Sequence, residues 1–417
     1  MKIFRFLLLA IFATIIFVQY GLAQDWPQWR GLNRDGILHD FSPPKVWPDT
    51  LLRKWQVPVG AGYSSPIIVK GKAFVHTRQD DQEVISCIDS KNGKLIWSQS
   101  NPAPFTINQY AVNQGKGPFS TPTFHNSRLY TLGVNGLLSC FEADTGKLLW
   151  RKEFTKQVNT SKLFCGTAMA PIIEDGLCIV HIGDDFNGAL MAYDAKTGEI
   201  KWSWKEHGPG YASPIIVEID GVRQLVTLTD KACISISPSN GKLLWEIEFL
   251  DEWHENIVTP LFYDGMIIIS GVRKGTFAIK PYKKNGSWTT EKIWHNEKLP
   301  MYMSCPVVNN DLFVGFSNKR KGQFFTLDAN TGETLWQSEG RQGRNAALIS
   351  AGEILLSLTT DGVLIIFEKT ANEFIPTKRY TVANSQTWSQ PVFFSKNVLI
   401  KDAETLTLWS FKPEEFN

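Results

Sequence analysis

Eight side chains recur three residues ahead of the Pro in a repeated small residue–Pro step. They are Tyr63, Phe119, Ala168, Tyr211, Ile257, Met303, Arg344 and Trp388, with Tyr302 next to Met303. Once, ahead of Ala347, the Pro itself is absent. Most of these side chains are large, and aromatic faces suit sugar rings or peptide side chains. If the repeats surround a channel, the same side chains could equally serve only to pack its mouth. A second group is charged. Arg273-Lys274 and Lys319-Arg320-Lys321 lie in turns, and Arg341 and Arg344 follow in the next loop. Asp80-Asp81-Glu83 and Asp184-Asp185 occupy the corresponding turns elsewhere. Opposed basic and acidic sectors would orient a polar partner, whereas solvated turns would do nothing.

Other chemistries find little support. The seven His have no metal-ligand spacing, and His76 and His181 each fall ten residues after a Pro, which makes them framework residues. Cys87 and Cys140 share a repeat position with Ala192, Ser235 and Thr326; Cys178 aligns with Ala73, and Cys305 takes the small slot before Pro306. Equivalent positions in separate repeats lie too far apart to bridge, so these read as free core thiols. Cys165 and Cys233 have no such slot. Neither a Gly-x-Ser-x-Gly elbow nor a phosphate-cradling Gly loop is present.

The elements that hold these residues follow from the repeat. Lys2 and Arg5 precede the uncharged run 6–18, and Gly21-Leu22-Ala23 offers small residues for a signal peptidase. A membrane span needs roughly 20 residues, so this run reads as a leader cleaved near Ala23. The formal charge is +2 over the whole chain, and removing Lys2 and Arg5 brings it to zero. A neutral chain is a poor electrostatic partner for nucleic acid or an anionic membrane. Apolar residues make up 43% and charged residues 20%, enough for a packed core.

The chain has fifteen Trp, and Trp55, Trp97, Trp150, Trp202, Trp245, Trp294 and Trp336 recur about every 42–53 residues, the length of four short strands with loops. An acidic or Ser residue eight positions earlier and a Gly four positions earlier accompany five of them, as in Asp194-Ala195-Lys196-Thr197-Gly198 before Trp202. Each copy reads as a hairpin whose Gly takes a positive φ. Lys280 to Trp294 is a longer copy turning at Asn285-Gly286. The small residue–Pro step opens a strand, where a missing N–H disrupts least. Eight such units predict an all-β, eight-bladed propeller of four-stranded antiparallel blades. The last unit has only three strands, so strand 51–58 with Trp55 is expected to complete it and close the ring. The repeat Trp are expected to wedge between blades. Segment 24–50 is an N-terminal arm packed along the ring, and 51–417 is the propeller.

The Asp-x-x-x-Gly-x-x-x-Trp hairpin with its small residue–Pro strand resembles the repeat of pyrroloquinoline quinone (PQQ)-like propellers. That superfamily includes quinoprotein alcohol dehydrogenases and the outer-membrane assembly lipoprotein BamB. Asp25-Trp26-Pro27-Gln28-Trp29-Arg30-Gly31 is similar to the opening of exported bacterial members. For the dehydrogenases the resemblance implies PQQ with calcium, an Asp base and often a vicinal disulfide. No adjacent Cys pair is present, and no local motif matches their ligand set. The nearest donors are Asp184, Asp185 and Asn187, and separately Glu255 and Asn256; a quinone would have to stack in the aromatic mouth. BamB is lipid-anchored, and no acceptor Cys follows the leader here. The resulting expectation is an exported, cofactor-free binding or scaffold module in the periplasm or outside the cell. Its partner would be a protein or glycan, it would be a monomer, and it would use the loop-rich face. A PQQ-dependent oxidoreductase and a BamB-like assembly factor are the alternatives.

Overall fold

The computed structural model describes residues 25–39, 41–154, 162–184, 187–251 and 254–412. The expected leader with its expected cleavage site, and Asp185, lie outside the described residues. Eight four-stranded antiparallel sheets make up the fold, each an up-and-down meander. Blade 3 is representative, with strands Ile172–Glu174, Leu177–Asp184, Asn187–Asp194 and Ile200–Trp204 from channel to perimeter. Its second strand is buried along nearly its whole length, because neighbouring blades cover both faces. Its outermost strand alternates exposed with buried residues, since only one face meets another blade.

The hairpin signature has a local cause. The Asp194 carboxylate accepts from the Lys196 and Thr197 amides, both at 2.9 Å, and Gly198 N–H donates to the Asp194 carbonyl at 2.8 Å. Asp328 and Gly332 repeat the arrangement. The Trp then couples blades. Trp294 lies flat against Gly332 of the next blade, where an added Cβ would stand 2.5 Å from the ring, and its Nε1 donates to the Ala329 carbonyl at 3.0 Å. Trp97 meets Gly146, Trp150 meets Gly198, and Trp202 meets Gly241 in the same way. Only Gly leaves room for the indole and adopts the turn. The small residue shared by Cys87, Cys140, Ala192, Ser235 and Thr326 sits directly opposite the Trp of its own blade across the strand pair. Trp245 departs from the pattern: its Nε1 donates to the Gln224 side chain, because the next blade carries the longer Asn285-Gly286 hairpin.

Strand Leu52–Pro58 pairs antiparallel with Thr405–Ser410, from Leu52 opposite Ser410 to Pro58 opposite Thr405. It is the outer strand of blade 8, and Trp55 donates to Ser90 O at 3.0 Å and covers Gly93 of blade 1. The ring therefore has no seam.

The arm takes a course that the repeat does not encode: it crosses the channel. Trp26 pairs with Ile68 of blade 1, and Phe124 N of blade 2 donates to Pro27 O. Arg34 is buried and donates to Ala170 O and Pro171 O of blade 3, to Pro214 O of blade 4, and to Gln28. Trp29 donates to Thr259 of blade 5, Arg30 to Pro306 O of blade 6, and Leu38 N to Ser350 O of blade 7. Phe41 packs edge-on against Phe393 of blade 8. One segment thus touches every inner strand.

Candidate ligand site at the channel mouth

Each inner strand begins just after its Pro at one end of the channel. Residues three and one before the Pro point the same way along extended chain, because side chains alternate with a period of two. They form two tiers. The upper tier brings Tyr63, Phe119, Ala168, Tyr211, Ile257, Met303 and Trp388 together around one pocket of about 160 Å³, and all seven remain partly exposed. The lower tier adds Thr121, Ser213, Thr259 and Cys305. Its hydroxyls also tie blades together: Ser65 Oγ accepts from Gln390 N at 2.8 Å, and Ser213 Oγ from Ala170 N at 3.0 Å. This explains why the residue before Pro is so often Ser or Thr.

Trp29 closes the pocket from below, held to Thr259 Oγ1 at 3.1 Å. The other arm contacts fall at the lower tier or deeper in the channel, so the pocket is blind. Phe164 and Cys165 overhang one side, with Phe164 N–H donating to the Tyr211 hydroxyl at 2.7 Å. Gln114 enters from the 3₁₀ turn Gln109–Gln114, which leaves Tyr110 and Val112 77% and 60% exposed.

Among the described residues, no charged side chain lines the pocket. Glu255 is nearby and accepts from the Tyr302 hydroxyl, turning Tyr302 away from the pocket lining. Burial and then the Glu255 charge push the Cys165 thiol up to about 12, and burial followed by the Glu255 hydrogen bond raises the Tyr302 phenol. Cys165 is therefore a lining residue and not a nucleophile at neutral pH. Lys401, buried beside the mouth, donates to Gly62 O at 2.9 Å, Asp402 O at 2.8 Å and Ala403 O at 3.1 Å. Burial brings its amine down to about 8, which leaves it mostly charged at neutral pH.

Among the residues singled out from sequence, Arg344 occupies its slot in the upper tier but stands exposed at the rim. Arg273, Lys274, Lys319, Arg320 and Lys321 are exposed on their turns. The acidic sector needs correction. Glu83 is buried in strand Gln82–Asp89, where it accepts from Val134 N at 2.8 Å and lies 3.4 Å from His76. Asp81 and Asp184 each have a Lys ammonium at 4.0 Å, from Lys116 and Lys162. Asp184 also accepts from Asn187, while Asn256 spends its amide on Thr229 O and Phe249 O, both at 2.7 Å. Among the described residues, no cluster of His, Cys, Asp or Glu is arranged to hold a metal ion. All six Cys are free; Cys233 lies in the core and Cys165 in the pocket wall. The lower tier was detectable from the same period of two. Trp29 and Phe164 carried no repeat signal.

A sequence profile of the family described as outer membrane protein assembly factor BamB matches residues 80–338, more than half of the chain. The chain belongs to this family. It is 23% identical over 219 residues to the outer membrane protein assembly factor BamB of Yersinia pestis, covering 52% of this chain and 50% of that one. It is also 23% identical over 320 residues to the dehydrogenase subunit of the quinone alcohol dehydrogenase of Gluconacetobacter polyoxogenes, covering 65% of this chain and 39% of the relative. The chain thus spans half or less of the length of these two relatives. The crystal structure of BamB from Moraxella catarrhalis superposes with a TM-score of 0.62 at 14% identity, over 87% of this chain and all of that one. That likeness is one of fold. BamB-family propellers and quinone-dependent dehydrogenases share the architecture, so the site must discriminate between the two activities.

The donor set here does not fit PQQ. A cavity near 150 Å³ is enough for benzene, whereas PQQ is a tricyclic tricarboxylate. Among the described residues the lining offers little room and no charged group inside the pocket for its carboxylates, Arg344 standing only at the rim.

Proposed function

We propose that this BamB-family propeller is an exported, non-catalytic binding module that holds a protein partner of the cell envelope against its mouth face. The observation that carries this reading is the blind, uncharged aromatic pocket at the centre of that face. The exposed Tyr110 and Val112 beside it, and the basic turns of blades 5 and 6, extend the surface. Large exposed apolar side chains next to a pocket are features of protein contact sites. Family membership favours an assembly role in the outer membrane over an isolated scaffold. Among the described residues, no helix is long and apolar enough to cross a membrane. The reading is cofactor-free and treats the protein as a monomer.

Photo-crosslinking side chains placed at Tyr110 and Arg344 on the mouth face, at Leu32 on the arm and at Leu95 on the perimeter test this in producing cells. Crosslinks confined to the mouth are expected. Crosslinks from Leu32 or Leu95 with none from the mouth would overturn the reading. A thermal-shift titration with PQQ and calcium addresses the oxidoreductase alternative: saturable stabilisation requiring both would establish it.

A further inference from the structure

We infer that the mouth pocket is an anchor site for a single aromatic side chain carried on an acidic segment of the partner. The inference rests on the proposed partner-binding role of this face and names the chemistry of the contact.

Size decides the anchor. Drug-sized ligands occupy pockets of roughly 300–1,000 Å³, and an apolar cavity of about 150 Å³ accepts benzene. At about 160 Å³, with Trp29 closing it below, the pocket takes one phenyl group. Tyr63 and Trp388 stand on one side with ring centroids 6.3 Å apart and planes tilted by 59°. Tyr211 faces in from across the channel, on blade 4. The uncharged lining excludes a carboxylate or ammonium at the bottom and admits an aromatic ring.

Charge decides what flanks the anchor. Arg344 belongs to the upper tier, two residues before Ala346, which lines a small extension of the pocket beside Trp388. The loop leading to it is fastened to the basic turn of blade 6: Arg341 N donates to Arg320 O and Gln342 N to Gly322 O, both at 3.0 Å. Lys319 Nζ donates to Lys298 O at 2.9 Å, joining that turn to the loop that leads to Met303. Lys319, Arg320, Lys321, Arg341 and Arg344, with Lys298 of the joined loop, therefore form one exposed cluster reaching the pocket edge, and outnumber Glu297, Glu339 and Asp361 nearby. Across the mouth, Asp81 and Asp184 have lysines close by. The exposed charges on the side of blades 6 and 7 are in cationic excess, while Asp80 and Glu255 stand on other parts of the mouth, and that excess favours an acidic chain on this side.

The test uses short fluorescein-labelled peptides and fluorescence anisotropy with the full-length mature protein. One peptide has a central Phe between Glu and Asp residues, a second replaces that Phe with Ala, and a third replaces the acidic flanks with Lys. The first should bind best. Loss of the ring should weaken binding roughly thirty-fold, as for a buried anchor, and basic flanks roughly tenfold or more. Ala168→Phe and Ile257→Trp each fill the pocket and should abolish the preference for Phe over Ala while near-ultraviolet circular dichroism stays native. The triple reversal K319E/R320E/K321E should remove the preference for acidic flanks.

Equal binding of the Phe and Ala peptides, still sensitive to the triple reversal, would overturn the anchor and leave the face as a binding surface. Binding unchanged in the filled-pocket and reversed variants would overturn both this inference and the assignment of the face. No binding of any peptide would overturn the anchor, and the crosslinking experiment would still judge the face. Titration by maltotetraose in place of the peptide would make the pocket a sugar subsite and refute the inference.

Discussion

The coupling of blades through Trp and Gly can be measured by comparing Gly332→Ala with Gly176→Ala. Both residues sit at positive φ, +71° and +76°, so both substitutions carry the same backbone cost of about 1–2 kcal/mol. They differ in what a new methyl would meet. At Gly176 nothing lies within 4 Å, whereas at Gly332 three atoms of the Trp294 ring lie at 2.5, 2.6 and 3.0 Å. Trp294 is buried and tethered to Ala329 O, so it cannot swing aside freely. Overpacking of that kind adds about 1–3 kcal/mol. With an unfolding entropy of about 2.1 cal/mol/K per residue over ~390 residues, each kcal/mol corresponds to about 1.2 °C. Differential scanning calorimetry should then show a drop of about 1–2.5 °C for Gly176→Ala and about 2.5–6 °C for Gly332→Ala. Introducing Trp294→Leu should reduce the cost of Gly332→Ala to that of Gly176→Ala, a coupling of about 1–3 kcal/mol. Equal shifts in the two single variants, or no coupling to Trp294, would refute the coupling of blades through Trp and Gly.

Three further outcomes are expected. Arg34→Met leaves three channel carbonyls and Gln28 without their donor. Each unsatisfied buried acceptor costs about 1–3 kcal/mol, and removal of a buried charge offsets part of the sum, so the protein should be destabilised by about 2–4 kcal/mol in denaturant unfolding; a loss below ~1 kcal/mol, the size of a surface pair, would mean that the arm does not brace the ring. Burial brings His181 down to about 4, with Nε2 3.1 Å from His207 O. A base whose folded pKa lies below its unfolded value of about 6.5 loses stability as pH falls through that interval and none above it, here about 3 kcal/mol by pH 4. His207, also lowered to about 4 by burial and then by Lys231, acts in the same direction. His181→Gln should therefore flatten the dependence of unfolding free energy on pH between those limits, and an unchanged slope would contradict the burial argument. Truncating Trp29 to Ala should deepen the pocket and release the Phe preference of the peptide series toward larger rings such as naphthyl; an unchanged preference would show that Trp29 is not the floor.

Much of the fold was legible because its determinants are short-range and repeated. The bond from Gly198 N to Asp194 O spans four residues, and the Thr197 amide is satisfied by the same aspartate. Reading that pattern five times makes strand order and ring closure a matter of counting. The upper tier of the pocket was legible for the same reason, because its position relative to Pro is fixed by extended backbone. What failed was context. Glu83 has the composition of a solvated turn with Asp80 and Asp81, yet one step further along the strand its side chain faces the neighbouring blade and pairs with Val134 N. Phe164 and Cys165 occupy a loop outside the repeat, so nothing local says that they lean over Tyr211.

The sequence by itself determined eight blades, the turn chemistry that ends each third strand, the Trp that bridges to the next blade, and a ring of large side chains at one end of a channel. These depend on interactions that recur with the chain's own period. Only the tertiary structure decided that the arm runs through the channel, that Arg30 and Arg34 hold the openings of the inner strands there, and that Trp29 turns an open pore into a blind pocket. The arm has no repeat of its own. Its path is set by carbonyls contributed from blades more than a hundred residues away, such as Pro171, Pro214 and Pro306, which become neighbours only once the ring has closed.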